Sequence, residues 1–153
     1  MWGEIWNRKD RTLLFLIPTS EYRHQLSYGA RLPHVRVVDW REEFLNDAHP
    51  GQKFLNVSAQ SELDRLKEWV RSDEGRILCV INTEYSLTRL DPNEREAFWL
   101  GFRTDFPYCK CIIVFGVLHS AELVPSNLDQ WRAAGRVVEL DEFAGGGTNA
   151  QGN

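Results

Sequence analysis

An unbroken apolar run, Ile77 to Ile81, leads directly into the polar residues Asn82, Thr83 and Glu84, and it constrains the fold more than any other stretch of this chain. Apolar residues at every position predict a strand that is buried on both faces, as in the middle of a parallel sheet. Open α/β sheets bind ligands at the carboxyl ends of such strands. The chemical role of Asn82 and Glu84 is therefore the first question that this sequence raises.

Other apolar runs alternate with segments of helical pattern. Strands are predicted over 12–17, 35–39, 77–81, 109–118 and 137–140. A further short strand over 54–57 is left as an alternative. Helices are predicted over 21–28, 42–47, 61–72, 92–106 and 127–134. This alternation predicts an α/β fold with three layers and a mostly parallel sheet of about five strands, in a P-loop-like (Rossmann-like) topology with right-handed crossovers.

Length and composition indicate one domain. The 153 residues fit a single α/β domain over 1–143, and the final segment 144–153, AGGGTNAQGN, has neither apolar anchors nor helix formers and is predicted to be disordered. The N-terminal residues lack the pattern of a signal peptide, and no apolar run reaches the roughly 20 residues of a membrane span. Three cysteines lie in or beside apolar runs, which is typical of a reducing cytoplasm. We expect a cytoplasmic protein that does not enter a membrane.

The charge distribution bears on possible partners. The net charge is −4, yet Lys and Arg outnumber Asp and Glu by six to three up to Arg36. The acidic majority argues against a general nucleic-acid binder, while a DNA-binding adaptor that uses the basic N-terminal half remains an alternative. The residues of that half are Arg8, Lys9, Arg11, Arg23, Arg31 and Arg36, and scattered surface charge is the favoured interpretation.

Two helix starts have capping signatures. In Asp91-Pro92-Asn93-Glu94, the aspartate is predicted to cap the helix and Glu94 to reach back to the cap. Ser61 with Asp64 three residues later predicts a second, similar start.

Carboxylates near strand ends are the candidates for enzymatic chemistry. Asp39, Glu42 and Glu84 could ligate Mg²⁺ in a nuclease or phosphoesterase, and His119, at the end of a strand, is the best candidate for a base. The favoured alternative is that Asp39 or Glu42 caps the next helix and that His119 is an exposed loop residue. No catalytic residue is therefore assigned.

Nucleotide and metal cofactors are not predicted. The segment after the first strand, Pro18 to Arg23, has neither the glycines nor the lysine of a phosphate-binding loop. Cys109 and Cys111 are close enough in sequence to share a strand face, but no second pair completes a zinc site. Burial of the cysteines as small apolar residues is favoured.

The order and spacing of three segments resemble a known family. FLNVSAQSELDRL, ILCVINTEYSLTRLDPNERE and the CIIVFG strand are similar in layout to the small P-loop-containing accessory proteins of bacteriophage-exclusion (BREX) defence systems, although the phosphate-binding loop is missing. The similarity covers roughly residues 12–118. The resemblance implies a shared fold and, as partners, the other proteins of a defence operon.

We therefore expect a non-catalytic accessory or scaffolding protein of a bacterial anti-phage defence complex, which acts by protein–protein interaction. Aromatic residues that the core does not need would form the contact surface. The candidates are Trp2, Trp6, Trp40, Trp69 and Trp131, of which Trp131 could equally belong to the core.

Overall fold

The computed structural model describes residues 11–24, 35–46, 57–72, 77–106 and 111–139. Its strands are β1 (Thr12–Ile17), β2 (Val35–Asp39), β3 (Ile77–Ile81), β4 (Ile112–Leu118) and β5 (Val137–Val138). Its helices are α1 (Trp40–Asn46), α2 (Ala59–Ser72), α3 (Glu84–Leu87), α4 (Pro92–Thr104) and α5 (Leu128–Ala133), with a 3₁₀ helix over Thr19–His24. The predicted strand at 54–57 lies outside the described residues except for Val57, which is in no strand, and the tail 144–153 lies outside them entirely.

The strands form one parallel sheet in the order β2-β3-β4-β1-β5. Each described pairing is parallel, and the register runs Thr12 opposite Ile113 in the β1–β4 pair and Val37 opposite Cys79 in the β2–β3 pair. The predicted three-layer, Rossmann-like α/β class is confirmed. β3 lies second in the sheet, between β2 and β4, as its two-sided burial requires.

Strand order also identifies a topological switch point. β1 and β4 are neighbours, but the chain leaves β1 towards β2 at one edge and leaves β4 towards β5 at the other. In open α/β sheets the crevice at such a point lies outside the carboxyl ends of the two strands. The segment that begins at Pro18 and the segment that begins at His119 therefore flank the crevice.

Side chains on the two sheet faces enter separate apolar clusters. Along β1, Leu14 and Leu16 belong to the larger cluster, while Leu13, Phe15 and Ile17 belong to the smaller one. This alternation follows from the two-residue period of a strand. The larger cluster also includes buried residues of α2, α4 and α5, so these helices cover that face.

Helix α4 supplies the aromatic centre of the larger cluster. Phe98, Trp99 and Phe102 are buried, and all three rings pack against Phe115 of β4 with centroid distances of 5.3 to 5.6 Å. The indole nitrogen of Trp99 donates a 3.0 Å hydrogen bond to the backbone oxygen of Leu123. The i, i+4 spacing of the phenylalanines therefore reflects packing on the sheet, as predicted.

Capping interactions define where α2 and α4 begin. The predicted cap Asp91 accepts a 2.8 Å hydrogen bond from the amide of Glu94. The carboxylate of Glu94 does not return to its own cap, however; it accepts a 2.8 Å bond from the amide of Ala59 at the start of α2. The two helix starts are thus joined, which the local pattern could not show because the contact spans 35 residues.

The predicted cap of α2 is wrong by three residues. Ser58, not Ser61, precedes the helix, and the amide of each serine donates a 3.0 Å hydrogen bond to the side-chain oxygen of the other. This is a capping box in which Ser61 takes the place of the usual Glu or Gln.

Among the described residues, no helix is long and apolar enough to cross a membrane.

Candidate functional site

The carboxyl ends of β2 and β3 bring Asp39 and Asn82 together. The two strands are in register at Asp39 and Ile81, so the next residue of β3 falls beside the aspartate. Nδ2 of Asn82 donates a 2.9 Å hydrogen bond to Oδ2 of Asp39. We call Asp39, Asn82, Thr83 and Glu84 the strand-end cluster.

Asp39 also starts the following helix. Its Oδ1 accepts hydrogen bonds from the amides of Arg41 at 3.0 Å and Glu42 at 3.2 Å, which are free because they lie in the first turn of α1. The favoured interpretation of Asp39 as a cap is confirmed. The helix begins at Trp40, two residues earlier than predicted, and leaves no loop between strand and helix.

Asn82 has a backbone conformation that few residues adopt. Its φ is +56°, the only positive value at a non-glycine position among the described residues. Asparagine tolerates the left-handed region better than most side chains, and here its amide is fixed by Asp39. The residue thus turns the chain away from β3 while it ties β3 to β2.

Thr83 anchors the same turn to the neighbouring strand. Its side chain is buried, and its hydroxyl donates a 2.5 Å hydrogen bond to the backbone oxygen of Gly116 in β4. A side chain at position 116 would meet the backbone oxygen of Val80 at 3.0 Å and Cδ1 of Ile17 at 3.1 Å. A Cβ at this position would therefore be crowded by β3 and β1, the two strands that flank β4.

Glu84, the first residue of α3, is the group in the cluster with an unusual environment. Its Oε2 is buried and has no hydrogen-bond partner. Burial raises the pKa of the carboxyl above its ordinary value, and a backbone hydrogen bond at Glu84 itself opposes the shift.

The predicted metal ligands do not converge. Asp39 contacts Asn82 and the start of α1, and Glu42 is exposed on α1. Within the described part of the chain, no three His, Cys, Asp or Glu side chains form a group that could hold a metal ion. The trio Asp39, Glu42 and Glu84 is thus not assembled as a metal site in this structure.

His119 directly follows β4, one of the two strands at the switch point. The side chain is exposed, and the backbone amide donates a 2.9 Å hydrogen bond to the oxygen of Ile17, which extends the β1–β4 pairing by one step. Across from it, the 3₁₀ helix starts immediately after Pro18, where the amide of Glu21 bonds to the oxygen of Pro18 at 2.9 Å. His119 is exposed and lies outside any strand or helix, which agrees with the favoured interpretation of an exposed loop residue.

The described cysteines are buried. Cys79 and Cys111 are fully inaccessible, and burial raises the pKa of the Cys79 thiol to about 12. A thiol with so high a pKa is a poor nucleophile and metal ligand at neutral pH. Cys109 lies outside the described residues, so the predicted pairing of 109 with 111 on one strand face is not described.

Two of the candidate contact tryptophans belong to the core. Trp40 and Trp131 are 1% and 2% exposed, respectively, so neither can form a contact surface. Trp40 follows β2 directly and points into the larger apolar cluster, while Trp131 packs on Trp99 and Phe102. Trp2 and Trp6 lie outside the described residues.

Trp69 remains as a surface candidate. It is half-buried on α2, and the guanidinium carbon of Arg36 lies 4.4 Å from its ring centroid. Two surface grooves, of about 610 and 450 Å³, meet at this residue. Both grooves are lined by Trp69, Glu43 and Glu68, which we call the Trp69 surface.

A further cluster was missed at the level of sequence. Arg41 and Arg89 are exposed, and their guanidinium carbons lie 5.5 and 3.9 Å from the ring centroid of Tyr85. We call these three residues the arginine–tyrosine surface. No sequence signal could identify it, because Arg41 is 44 positions from Tyr85 and only the β2–β3 pairing brings α1 beside α3.

The basic residues of the N-terminal half are described only in part. Arg36 is exposed and contacts Trp69, and Arg11 is half-buried before β1. The other four are either outside the described residues or have no described side chain.

Comparisons with known proteins identify no relative. No family model matches the chain, and neither a curated protein nor a solved structure matches it at a significant level.

Proposed function

We propose that this protein is a non-catalytic accessory or scaffolding component of a bacterial anti-phage defence complex and that it acts by binding partner proteins. The resemblance in layout to accessory proteins of bacteriophage-exclusion systems motivates the choice of complex. The fold contributes a P-loop-like sheet that serves as a rigid support. We expect the protein to work in the cytoplasm.

The observation that carries the proposal is the use of Asp39, Asn82 and Thr83. These polar side chains lie where an α/β enzyme of this type places its reactive groups. Here Asp39 caps α1 and accepts the amide of Asn82, and Thr83 is bonded to Gly116. Their hydrogen-bonding groups support the structure, which favours a structural role for this edge of the sheet over a chemical one.

The Trp69 surface is the proposed contact region. Tryptophan and arginine are enriched among residues that dominate binding energies, and Trp69 with Arg36 provides both beside two grooves. Glu43 and Glu68 line the same grooves, and neither makes a side-chain hydrogen bond or an ion pair with another described residue. They are available to cations of a partner.

Affinity purification from the native host tests the proposal. We expect the tagged protein to co-purify with the products of neighbouring genes, and Trp69→Ala and the exposed-site variant Glu68→Arg to reduce that recovery. Glu122→Arg is a matched charge-reversal control, because Glu122 is exposed, lies outside the Trp69 surface and makes no side-chain hydrogen bond or ion pair with another described residue. Recovery of the same partners with all variants would contradict the assigned surface.

A melting experiment tests the absence of nucleotide chemistry. A ligand that binds only the native state at 100 times its Kd stabilises it by about 2.7 kcal/mol, which raises the melting temperature. The proposal predicts no shift with ATP and Mg²⁺. A clear ATP-dependent rise would overturn it.

One observation favours a second candidate, a Mg²⁺-dependent nuclease or phosphoesterase. Glu84 has a buried oxygen without a partner and a raised pKa, and such groups are over-represented at functional sites. In this case Glu84 would act with Asp39 and Glu42 after a rearrangement that brings them together. Cleavage of DNA or RNA that requires Mg²⁺ and is lost in Glu84→Gln would support it.

A further inference from the structure

Helix α4 exposes one large apolar side chain on the side that does not pack on the sheet. Leu100 is 63% exposed, and Leu45 is the only other large apolar side chain that is exposed among the described residues. Leu100 also lines a surface groove of about 260 Å³ together with the buried residues Trp99 and Trp131. A single exposed leucine is ordinary on a protein surface, so its neighbours on the helix decide what it could bind.

Exposed side chains of α4 form one stripe around Leu100. The stripe, which we call the Leu100 face, comprises Asn93, Glu96, Ala97, Leu100, Arg103 and Thr104. The spacing of positions 93, 97, 100 and 104 alternates between four and three residues, which is the pattern of side chains that contact a partner helix in a coiled coil. Positions 96 and 103 then flank the contact, where ion pairs between helices form.

The two charges of the Leu100 face have opposite signs and no counter-ion. Glu96 and Arg103 are about 10 Å apart along the helix axis, which is too far for an ion pair within one copy. Neither side chain forms an ion pair with another residue that the structure describes. One oxygen of Glu96 accepts a 3.1 Å hydrogen bond from the amide of Ser126, and the other oxygen makes no hydrogen bond to a described residue.

This arrangement is complementary to itself. A two-fold rotation that brings two copies of α4 together in antiparallel orientation places Glu96 of each copy near Arg103 of the other. The same rotation places Leu100 of each copy against the small side chain of Ala97 of the other, so the helices can approach closely. A parallel arrangement would instead place like charges opposite each other, which is unfavourable.

We propose that the Leu100 face binds a second copy of this chain, as a two-fold symmetric dimer with antiparallel α4 helices. The charge pattern favours this occupant because the chain itself supplies the complementary surface. The proposal goes beyond the proposed binding of other proteins and uses residues outside the Trp69 surface. A dimer would present two Trp69 surfaces in one assembly.

Sedimentation velocity of the wild-type chain tests the proposal. One helix from each copy buries a small interface, below about 1,200 Å² in total, so we expect a weak dimer with a Kd on the order of 10 μM. Between about 1 and 200 μM, a range that brackets this Kd, the weight-average mass should rise from that of the monomer towards twice that value.

Two leucine variants locate the contact. Leu100→Asp places a charge at the centre of the Leu100 face and should weaken dimerisation at least about tenfold. Leu45→Asp is the matched control, because Leu45 is also exposed but lies on α1, and it should dimerise as the wild type does. Circular dichroism of each variant verifies that it is folded.

Charge exchange tests the antiparallel orientation in low-salt buffer, where exposed ion pairs are least screened. Glu96→Arg and Arg103→Glu should each be monomeric, because each variant would place like charges opposite each other at both ends of its own dimer. An equimolar mixture of the two should dimerise, since each chain then faces opposite charges at both ends. Glu96→Gln keeps an acceptor for the amide of Ser126 and should weaken dimerisation less than Glu96→Arg.

Three results would overturn the proposal. They are a folded wild type that stays monomeric throughout this range, equal dimerisation of Leu100→Asp and the wild type, and a mixture of the two folded charge variants that stays monomeric. A monomeric wild type that loses its co-purified partners in Leu100→Asp would assign the face to a different protein. If Glu96→Arg does not fold, Leu100→Asp and Arg103→Glu decide the question against the Leu45→Asp control.

Discussion

Asp39 and Asn82 join the carboxyl ends of two parallel strands through one hydrogen bond of 2.9 Å. The other oxygen of Asp39 caps α1, and Asn82 adopts a left-handed conformation that redirects the chain into α3. One carboxylate therefore fixes a strand, the helix that follows it and the turn of the neighbouring strand. We therefore expect the carboxylate of Asp39 to contribute to the stability of the fold more than to any catalysis.

Replacement of Asp39 by alanine should destabilise the fold. The variant loses a helix cap, which typically contributes about 1 kcal/mol, and a hydrogen bond to a charged group, which contributes about 1.5–3 kcal/mol. We expect the free energy of unfolding in urea to fall by roughly 2–4 kcal/mol. Glu42 is exposed and lies three residues after Asp39, so Glu42→Ala should change the free energy of unfolding by less than about 0.5 kcal/mol. Equal effects of the two variants would contradict the role assigned to Asp39.

Two substitutions at position 82 separate the contribution of the hydrogen bond to stability from the cost of the left-handed backbone conformation. Asn82→Gly loses the bond to Asp39 but accepts the positive φ without strain. Asn82→Ala loses the same bond and in addition incurs about 1–2 kcal/mol for a left-handed residue with a Cβ. Urea denaturation should thus rank the wild type above Asn82→Gly and Asn82→Gly above Asn82→Ala. The reverse order of the two variants would show that the turn is not left-handed.

The hydroxyl of Thr83 should contribute more to the stability of the fold than its methyl group does. Thr83→Val keeps the shape but removes the donor to the oxygen of Gly116, which costs about 1–3 kcal/mol if that buried acceptor is left without this bond. Thr83→Ser keeps the donor and should be closer to the wild type. The measurement is the shift of the denaturation midpoint at constant m-value. A larger loss for serine than for valine would contradict this account.

Glu84 should make stability fall as pH rises. Its pKa in the folded state is raised, so the folded state holds the proton more tightly than the unfolded state between the ordinary value of 4.5 and the raised value. The contribution of Glu84 to the free energy of unfolding is fully present below pH 4.5 and is lost as the pH rises through its raised pKa. Glu84→Gln, which cannot ionise, should therefore be more stable than the wild type at pH 7.

The difference between the two proteins should shrink as pH falls towards 4. Thermal melts of both proteins from pH 4 to pH 8 measure it, and effects common to other carboxylates cancel in the comparison. A variant that is less stable than the wild type at pH 7 would show that ionised Glu84 has a favourable partner.

Much of the fold follows from local pattern, because apolar runs and caps act over a few residues. The run at 77–81 and the Asp91 cap predict β3 and α4 correctly, and continuous burial of β1 and β3 accounts for the parallel sheet. The strand predicted over 109–118 begins at Ile112, because Cys111 is described and precedes β4; residues 109–110 lie outside the described part. Trp40 looked like a strand-end surface residue, but immediate helix formation after Asp39 turns it into the core.

The candidate site depends on contacts that sequence spacing does not encode. The partners Asp39 and Asn82 are 43 residues apart, and Thr83 and Gly116 are 33 apart. Each pair meets because neighbouring strands end at the same edge. The order of the strands, which decides the neighbours, is set by the packing of the whole chain.

We propose that this protein supports phage defence through partner binding, and plaque formation on the native host tests that proposal most directly. A strain that carries the Glu42→Gln, Glu84→Gln double variant in place of the wild type should resist phage as well as the wild type does. A strain with Glu68→Arg should lose resistance together with its co-purified partners, although the purified variant melts at the wild-type temperature. Loss of resistance in the double variant, with full resistance in Glu68→Arg, would contradict the account.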